Sequence, residues 1–223
     1  ISSAASDVYK RQVLSHAHYD HANGMGKFFE INEKAPFYLQ EGCGENCYFK
    51  KGFVRKYIGI PKGITKRYQD RIKYVSGICP IAEGIYLVSH STPHLEQIGK
   101  KEMMYQKTKL GWKPDNFCHE QSLVLDTDSG LVIFNSCSHG GVVNIINEVK
   151  AAFPNKKITA LIGGFHIFNH PEEEIRELAK LIKETGIERI YTGHCSKERG
   201  YRILREELGD MAGQFYVGME LEF

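Results

Sequence analysis

The chain has 223 residues, enough for one domain with a substantial core, and its 29 basic and 27 acidic residues leave a formal charge of +2. Apolar residues make up 42% and charged residues 25%, which excludes disorder, collagen and coiled coil as the main architecture. The near-neutral balance gives no lead towards nucleic acid or a membrane surface, and no apolar run approaches the ~18 residues of a membrane span. Six scattered cysteines and the lack of a basic-then-apolar leader lead us to expect a reducing cytoplasm. The unusual figures are ten histidines and a single tryptophan, which direct attention to metal chemistry.

Residues 1–11 show neither helical nor strand periodicity. They resemble a string that recurs at the ends of reading frames assembled from shotgun DNA, and they are expected to be non-native. Val13-Leu14 reads as the end of a short buried strand, 22–30 as a short helix and 37–39 as a strand. An insert at about 42–75 is rich in Gly, basic residues and aromatics without clear periodicity, and is expected to be a mobile subregion. It suits either a cover for a phosphorylated substrate or a solvated face. Within it, Cys43 and Cys47 are expected to be free thiols in a loop. Strands follow at 85–88, 122–125 and 131–135, the last two joined by a hairpin turn at 126–130.

The second half alternates regularly. Helices are expected at 142–153, 171–184 and 197–208, and strands at 158–162, 187–191 and 215–217. Pro171 opens the second of these helices, Glu172, Glu173 and Glu174 occupy its positive end, and Gly186 stops it. This rhythm implies an α/β fold with sheet covered by helices.

The strongest motif is His16-Ala17-His18-Tyr19-Asp20-His21. An extended backbone points His16 and His18 to one side, while Asp20 and His21 follow at the turn and can face a second ion. Three imidazoles and a carboxylate so close together suit zinc, iron or manganese. Unliganded, they would concentrate several desolvated polar groups without compensation.

This His-x-His-x-Asp-His turn after a short strand resembles the signature of the metallo-β-lactamase fold superfamily. One branch is matched further by Asp115-Asn116-Phe117-Cys118-His119-Glu120-Gln121-Ser122-Leu123, then by Phe134-Asn135-Ser136-Cys137-Ser138-His139-Gly140-Gly141-Val142-Val143-Asn144-Ile145, Gly163-Gly164-Phe165-His166 and Thr192-Gly193-His194-Cys195. It is the branch typified by the archaeal dihydropterin ribofuranosyl-aminobenzene-phosphate synthase, which also holds bacterial metal-dependent hydrolases. The resemblance covers 13–223. It implies an αββα sandwich of two mixed sheets flanked by helices, over a domain of 12–223. Relatives place several strands before the turn, so a chain truncated at its N-terminus is expected.

The resemblance implies one or two divalent ions, zinc first, manganese or iron next. It puts His16, His18 and His139 on one ion and Asp20, His21 and His194 on the other. Where the superfamily has a bridging Asp, this chain reads Asn-Ser-Cys-Ser-His, so either Cys137 bridges or no protein group does. Asp20 and His166 are the expected catalytic residues, Asp20 orienting the nucleophile or holding the second ion, and His166 donating a proton, steadying an oxyanion or phosphate, or completing the second metal. The implied activity is hydrolysis of a small substrate, phosphorylated or bearing an ester or lactone, by water activated on the metal. The alternatives are a synthase joining a dihydropterin to an aminobenzene ribofuranosyl phosphate with loss of diphosphate, and a non-catalytic metal- or ligand-binding module. A small-molecule substrate is expected, with no nucleic-acid or membrane partner. Glu120 and Gln121 suit either ligand orientation or an ordinary strand edge, and Gly140-Gly141 either an anion or a tight turn. His170 is expected to be structural, and His90, His94 and His119 to be surface or loop residues.

Overall fold

A computed structural model describes residues 10–223, so the expectation for 1–11 falls almost wholly outside the described residues. Two compact units are formed, one by residues up to 76 together with 93–121, the other by 77–92 and 122–223. In chain order the elements begin with β1 (Gln12–Val13), α1 (Tyr19–Ala22), α2 (Met25–Ile31), β2 (Phe37–Gln40), β3 (Cys47–Lys51), β4 (Val54–Tyr57), α3 (Ile64–Arg67) and β5 (Ile72–Val75). Next come β6 (Ile78–Ala82), β7 (Ile85–Ser89), α4 (Glu96–Lys101), β8 (Met104–Thr108), β9 (Gly111–Pro114), β10 (Gln121–Thr127) and β11 (Gly130–Asn135). The chain continues with α5 (Val142–Ala152), β12 (Ile158–Gly163), α6 (Glu172–Glu184), β13 (Arg189–Thr192), α7 (Lys197–Leu208) and β14 (Ala212–Gln214). Among the described residues no helix is long and apolar enough to cross a membrane.

The second unit matches its sequence pattern closely. Its sheet runs β14-β13-β12-β11-β10-β7-β6, with β11 to β14 parallel and the remaining pairs that join β6 to β7 and β10 to β11 antiparallel. The hairpin between β10 and β11 is the expected one, pairing Thr127 with Gly130. Ile145, Ile146 and Val149 of α5, Ile175, Ala179 and Ile182 of α6, and Ile203 and Leu204 of α7 pack with Ile133 and Leu161 in one core. Each fully buried aliphatic side chain there contributes ~1.5–3 kcal/mol through burial. One expectation fails: the last strand is 212–214, not 215–217, because Ala212, Gly213 and Gln214 pair with Ile190, Tyr191 and Thr192 while Phe215 packs its ring on a separate cluster.

The first unit departs further. Its strands form a parallel β1-β2-β5 sheet and an antiparallel β4-β3-β8-β9 sheet. The insert at 42–75 is therefore not a loosely structured subregion. Cys43, Cys47, Ile58, Ile60, Ile64 and Ile72 all lie in the unit's core with Phe29, Leu39 and Phe117. Cys43 and Cys47 are free thiols, as expected, but buried, and burial pushes Cys43 up to about 12. Several cations of the insert lie over aromatic rings, Lys50 and Arg55 over Trp112 at 5.8 and 5.4 Å and Lys62 over Tyr57 at 4.8 Å. β8 shows no apolar alternation because its inward positions are Met104 and the polar Gln106, whose side chain is bonded inside the unit.

Candidate metal centre

In the first unit β1 ends at Val13 and the chain bends at 15–17, so the expected extended run through His16 is not kept. His18 returns to an extended conformation (φ −101°, ψ 148°) just before α1, whose first turn holds Asp20 and His21. The bend sets the His16 and His18 rings edge to face, 4.8 Å apart, and brings the His21 ring to 4.4 Å from His16. Donor atoms of His16, Asp20 and His21 all lie within 4.8 Å of one another. His16 and His18 are buried while Asp20 is exposed, so the cluster has a dry inner end and a wet outer one.

This turn is framed from behind by residues 115–121. Gln121 donates from Nε2 to the carbonyl of Leu14 at 2.9 Å and to that of Tyr38 at 3.4 Å, and its backbone N–H donates to Ser15 at 2.8 Å. His119, expected as a surface or loop residue, is completely buried, and its Nδ1 accepts the backbone N–H of Ala17 at 3.1 Å. A second group of donor atoms within 4.8 Å of one another comprises His18, Cys47, Asp115 and His119. Burial pushes the Cys47 thiol up and opposes ionisation of Asp115, but the donors around Asp115, His119 foremost, hold its carboxyl below the usual range. Sequence reasoning assigned Cys47, Asp115 and His119 no part in the site. Asp115 and His119 stand four apart in the quoted motif, and that is the one signal they gave.

In the second unit His139, His166 and His194 follow the carboxyl ends of three neighbouring parallel strands. The register aligns Asn135 with Gly163 and Gly163 with Thr192, so the three loops leave the sheet along one edge. Ligands gather at such edges in α/β sheets. The His139 and His166 rings stand 4.4 Å apart. Ser138, His166 and His194 all have left-handed backbone, with φ of 52°, 50° and 50°. Three non-glycine residues in that region on one edge store strain, which accumulates where a fold must aim side chains. Gly163 makes the close strand approach possible, since a Cβ there would lie 1.6 Å from the Asn135 carbonyl oxygen.

Cys195 is buried beside His194, and its sulfur receives the His166 backbone N–H at 3.2 Å. The hydrogen bond with the Cys137 side chain, opposed by burial and aided by His166, lowers the Cys195 thiol to about 5. His90, also expected at the surface, is buried by its side chain: Nδ1 lies 2.8 Å from Glu148, and its ring occupies the space a Cβ on Gly140 would need. Gly140-Gly141 thus makes the tight turn its composition allowed, with Gly141 donating to Ser138 at 2.9 Å. His94 is exposed and His170 pairs with Glu174 at 3.3 Å, as expected of a loop residue and a structural one.

The mixed α/β chain, with its sheets flanked by helices, has the metallo-β-lactamase fold. The crystal structure of Tm1679, a metal-dependent hydrolase of the β-lactamase superfamily, superposes on it with a TM-score of 0.81 and 26% identity, over 97% of this chain and 80% of that one. The chain is also 26% identical to the 7,8-dihydropterin-6-methyl-4-(β-D-ribofuranosyl)-aminobenzene-5'-phosphate synthase of Methanocaldococcus jannaschii, over 95% of this chain and 74% of the relative. An uncharacterized protein of the same archaeon is 23% identical over 86% of this chain and 70% of its own length. No family model matches the chain.

Proposed function

We propose that the chain is a cytoplasmic metal-dependent hydrolase acting on a small substrate, phosphorylated or bearing an ester or lactone. The observation that carries the reading is the convergence of His16, Asp20 and His21 donors within 4.8 Å at the end of a short strand. Imidazole and carboxylate donors in such a set fit a divalent ion, zinc first, manganese or iron next. The ligands are those that the family resemblance implies: His16, His18, Asp20, His21, His139 and His194. When bound, the ion lowers the pKa of water towards ~7 and polarises the oxygen under attack.

Asp20, exposed at the outer end of its turn, is the carboxylate that orients the nucleophile or helps to hold the second ion. His166 carries a ring proton to the leaving group. Its ring sits beside that of His139 at 4.4 Å and against Phe168 at 5.3 Å, which restricts its orientation. The second reading is a synthase joining a dihydropterin to an aminobenzene ribofuranosyl phosphate with loss of diphosphate. It is favoured by the archaeal synthase, which aligns over 95% of the chain. Metal content of the purified protein is the first test, and two, one or no equivalents separate these readings from a protein without metal. Assays of the metal-loaded protein on phosphodiesters, lactones and the dihydropterin diphosphate pair follow. Hydrolysis of one of the first two classes is expected, and synthase activity alone overturns the hydrolase.

A further inference from the structure

The buried group of His18, Cys47, Asp115 and His119 has the composition of a second zinc site: two imidazoles, a thiol and a carboxylate within 4.8 Å. The hydrogen bonds of His119 decide against one. A ring nitrogen that accepts the N–H of Ala17 cannot itself carry a proton, so the ring proton sits on Nε2. That nitrogen faces Asp115 Oδ2 at 3.1 Å and donates to it. With one nitrogen taken by the backbone and the other by its proton, the ring has no lone pair for a metal.

The same bonds give the pair a different task. Asp115 Oδ1 accepts from Gln106 Nε2 at 2.8 Å and from the Phe117 backbone at 2.9 Å, so three donors fix the carboxylate from both sides. The fixed carboxylate sets the tautomer of His119, and the tautomer presents an acceptor to the backbone N–H of Ala17, the residue between His16 and His18. That turn has little regular structure of its own, being a bend between a two-residue strand and a four-residue helix. Its orientation must therefore come from outside it. We propose that Asp115 and His119 are positioning residues that lock the His16–Ala17 peptide plane, and so set the affinity of the turn that carries His16 and His18 for its metal. The inference rests on the reading of His16 and His18 as metal ligands.

The test is zinc affinity, measured by competition with a chelator at a temperature well below the melting point of every variant. His119→Leu removes the acceptor, and a ~10–100-fold loss of affinity is expected, the range for groups that orient metal ligands. His119→Asn puts an oxygen where Nδ1 stands, and should restore affinity to within a few-fold of the starting protein. Asp115→Asn is nearly isosteric: in either amide orientation it sets a donor against a donor, so affinity should fall while the chain stays folded. The d–d absorption of the cobalt-substituted protein should shift with His119→Leu and return with His119→Asn, which loss of stability alone does not produce. His16→Ala and His18→Ala separate the two levels. If both lose zinc while His119→Leu and Asp115→Asn bind as tightly as the starting protein, the positioning role is overturned and the metal ligands stand. If both retain zinc, the metal reading falls and the positioning role with it.

Discussion

The two units carry their histidines in opposite ways. In the first, three imidazoles and a carboxylate fall between His16 and His21, on a turn with almost no regular structure, held by polar side chains from 115–121. In the second, His139, His166 and His194 each follow a parallel strand of their own, the last two on left-handed backbone. A dense turn needs braces, whereas a sheet edge supplies its own rigidity. Each unit nevertheless backs a histidine loop with a buried carboxylate–histidine pair, Asp115 with His119 and Glu148 with His90.

The sharpest way to break this comparison is to remove one donor from each unit. His16 is buried at the dry end of its cluster, and His194 is exposed. His16→Ala is expected to abolish zinc retention through dialysis, while His194→Ala lowers it only in part, as read by elemental analysis. Full retention in His16→Ala would show that the turn is not the stronger holder. Next in size is catalysis. His166→Gln should leave metal content unchanged and lower kcat by ~10²–10⁴, the usual contribution of a positioned proton donor. An unchanged kcat would assign His166 to the frame of the sheet edge instead.

A backbone comparison is smaller but cleaner. Gly163→Ala forces a Cβ to 1.6 Å from a carbonyl oxygen at a φ of 159°, and should cost more than ~3 kcal/mol or prevent folding. Gly24 in the first unit has nothing within 4 Å of the same atom, so Gly24→Ala should be neutral within ~0.5 kcal/mol. Thermal unfolding of the two variants reads both. Equal losses would mean that the strand ends of the second unit are no more constrained than a turn of the first.

What was legible in the sequence follows the same division. Helices α5, α6 and α7 show apolar positions at helical spacing and clear stops, so they were found within a residue or so. The His16–His21 turn was legible because its donors are neighbours in the chain. In the first unit β8 was missed because its inward positions include the polar Gln106, which breaks the apolar alternation. The partners His119 and His90 were read as surface residues for a simpler reason. A buried histidine is betrayed only by its partner, and Ala17 is 102 residues from His119 while Glu148 is 58 from His90.

The Glu148–His90 pair supplies the finest test, through pH. Glu148 Oε1 accepts from the backbone N–H of Ser91 and of Thr92, each at 2.9 Å, and from Thr92 Oγ1 at 2.6 Å, while Oε2 meets His90 at 2.8 Å. Burial opposes its ionisation, but the His90 bond and these donors outweigh it and hold the carboxyl below its ordinary value. A carboxyl depressed in the folded state stabilises the fold above its unfolded pKa of ~4.3, and that stability is lost as pH falls through the folded value. Glu148→Gln should therefore melt lower than the starting protein at pH 7, by an amount on the order of 1–3 kcal/mol for a buried charge-assisted network. The gap should close as pH drops below ~4, because protonation then does to the starting protein what the substitution did to the variant. Asp115 is depressed in the same direction, so Asp115→Asn should show the same convergence in the first unit. A gap for Glu148→Gln that stays constant from pH 7 to pH 3 would show that the residue acts through packing, and that only the first unit braces its histidines with charge.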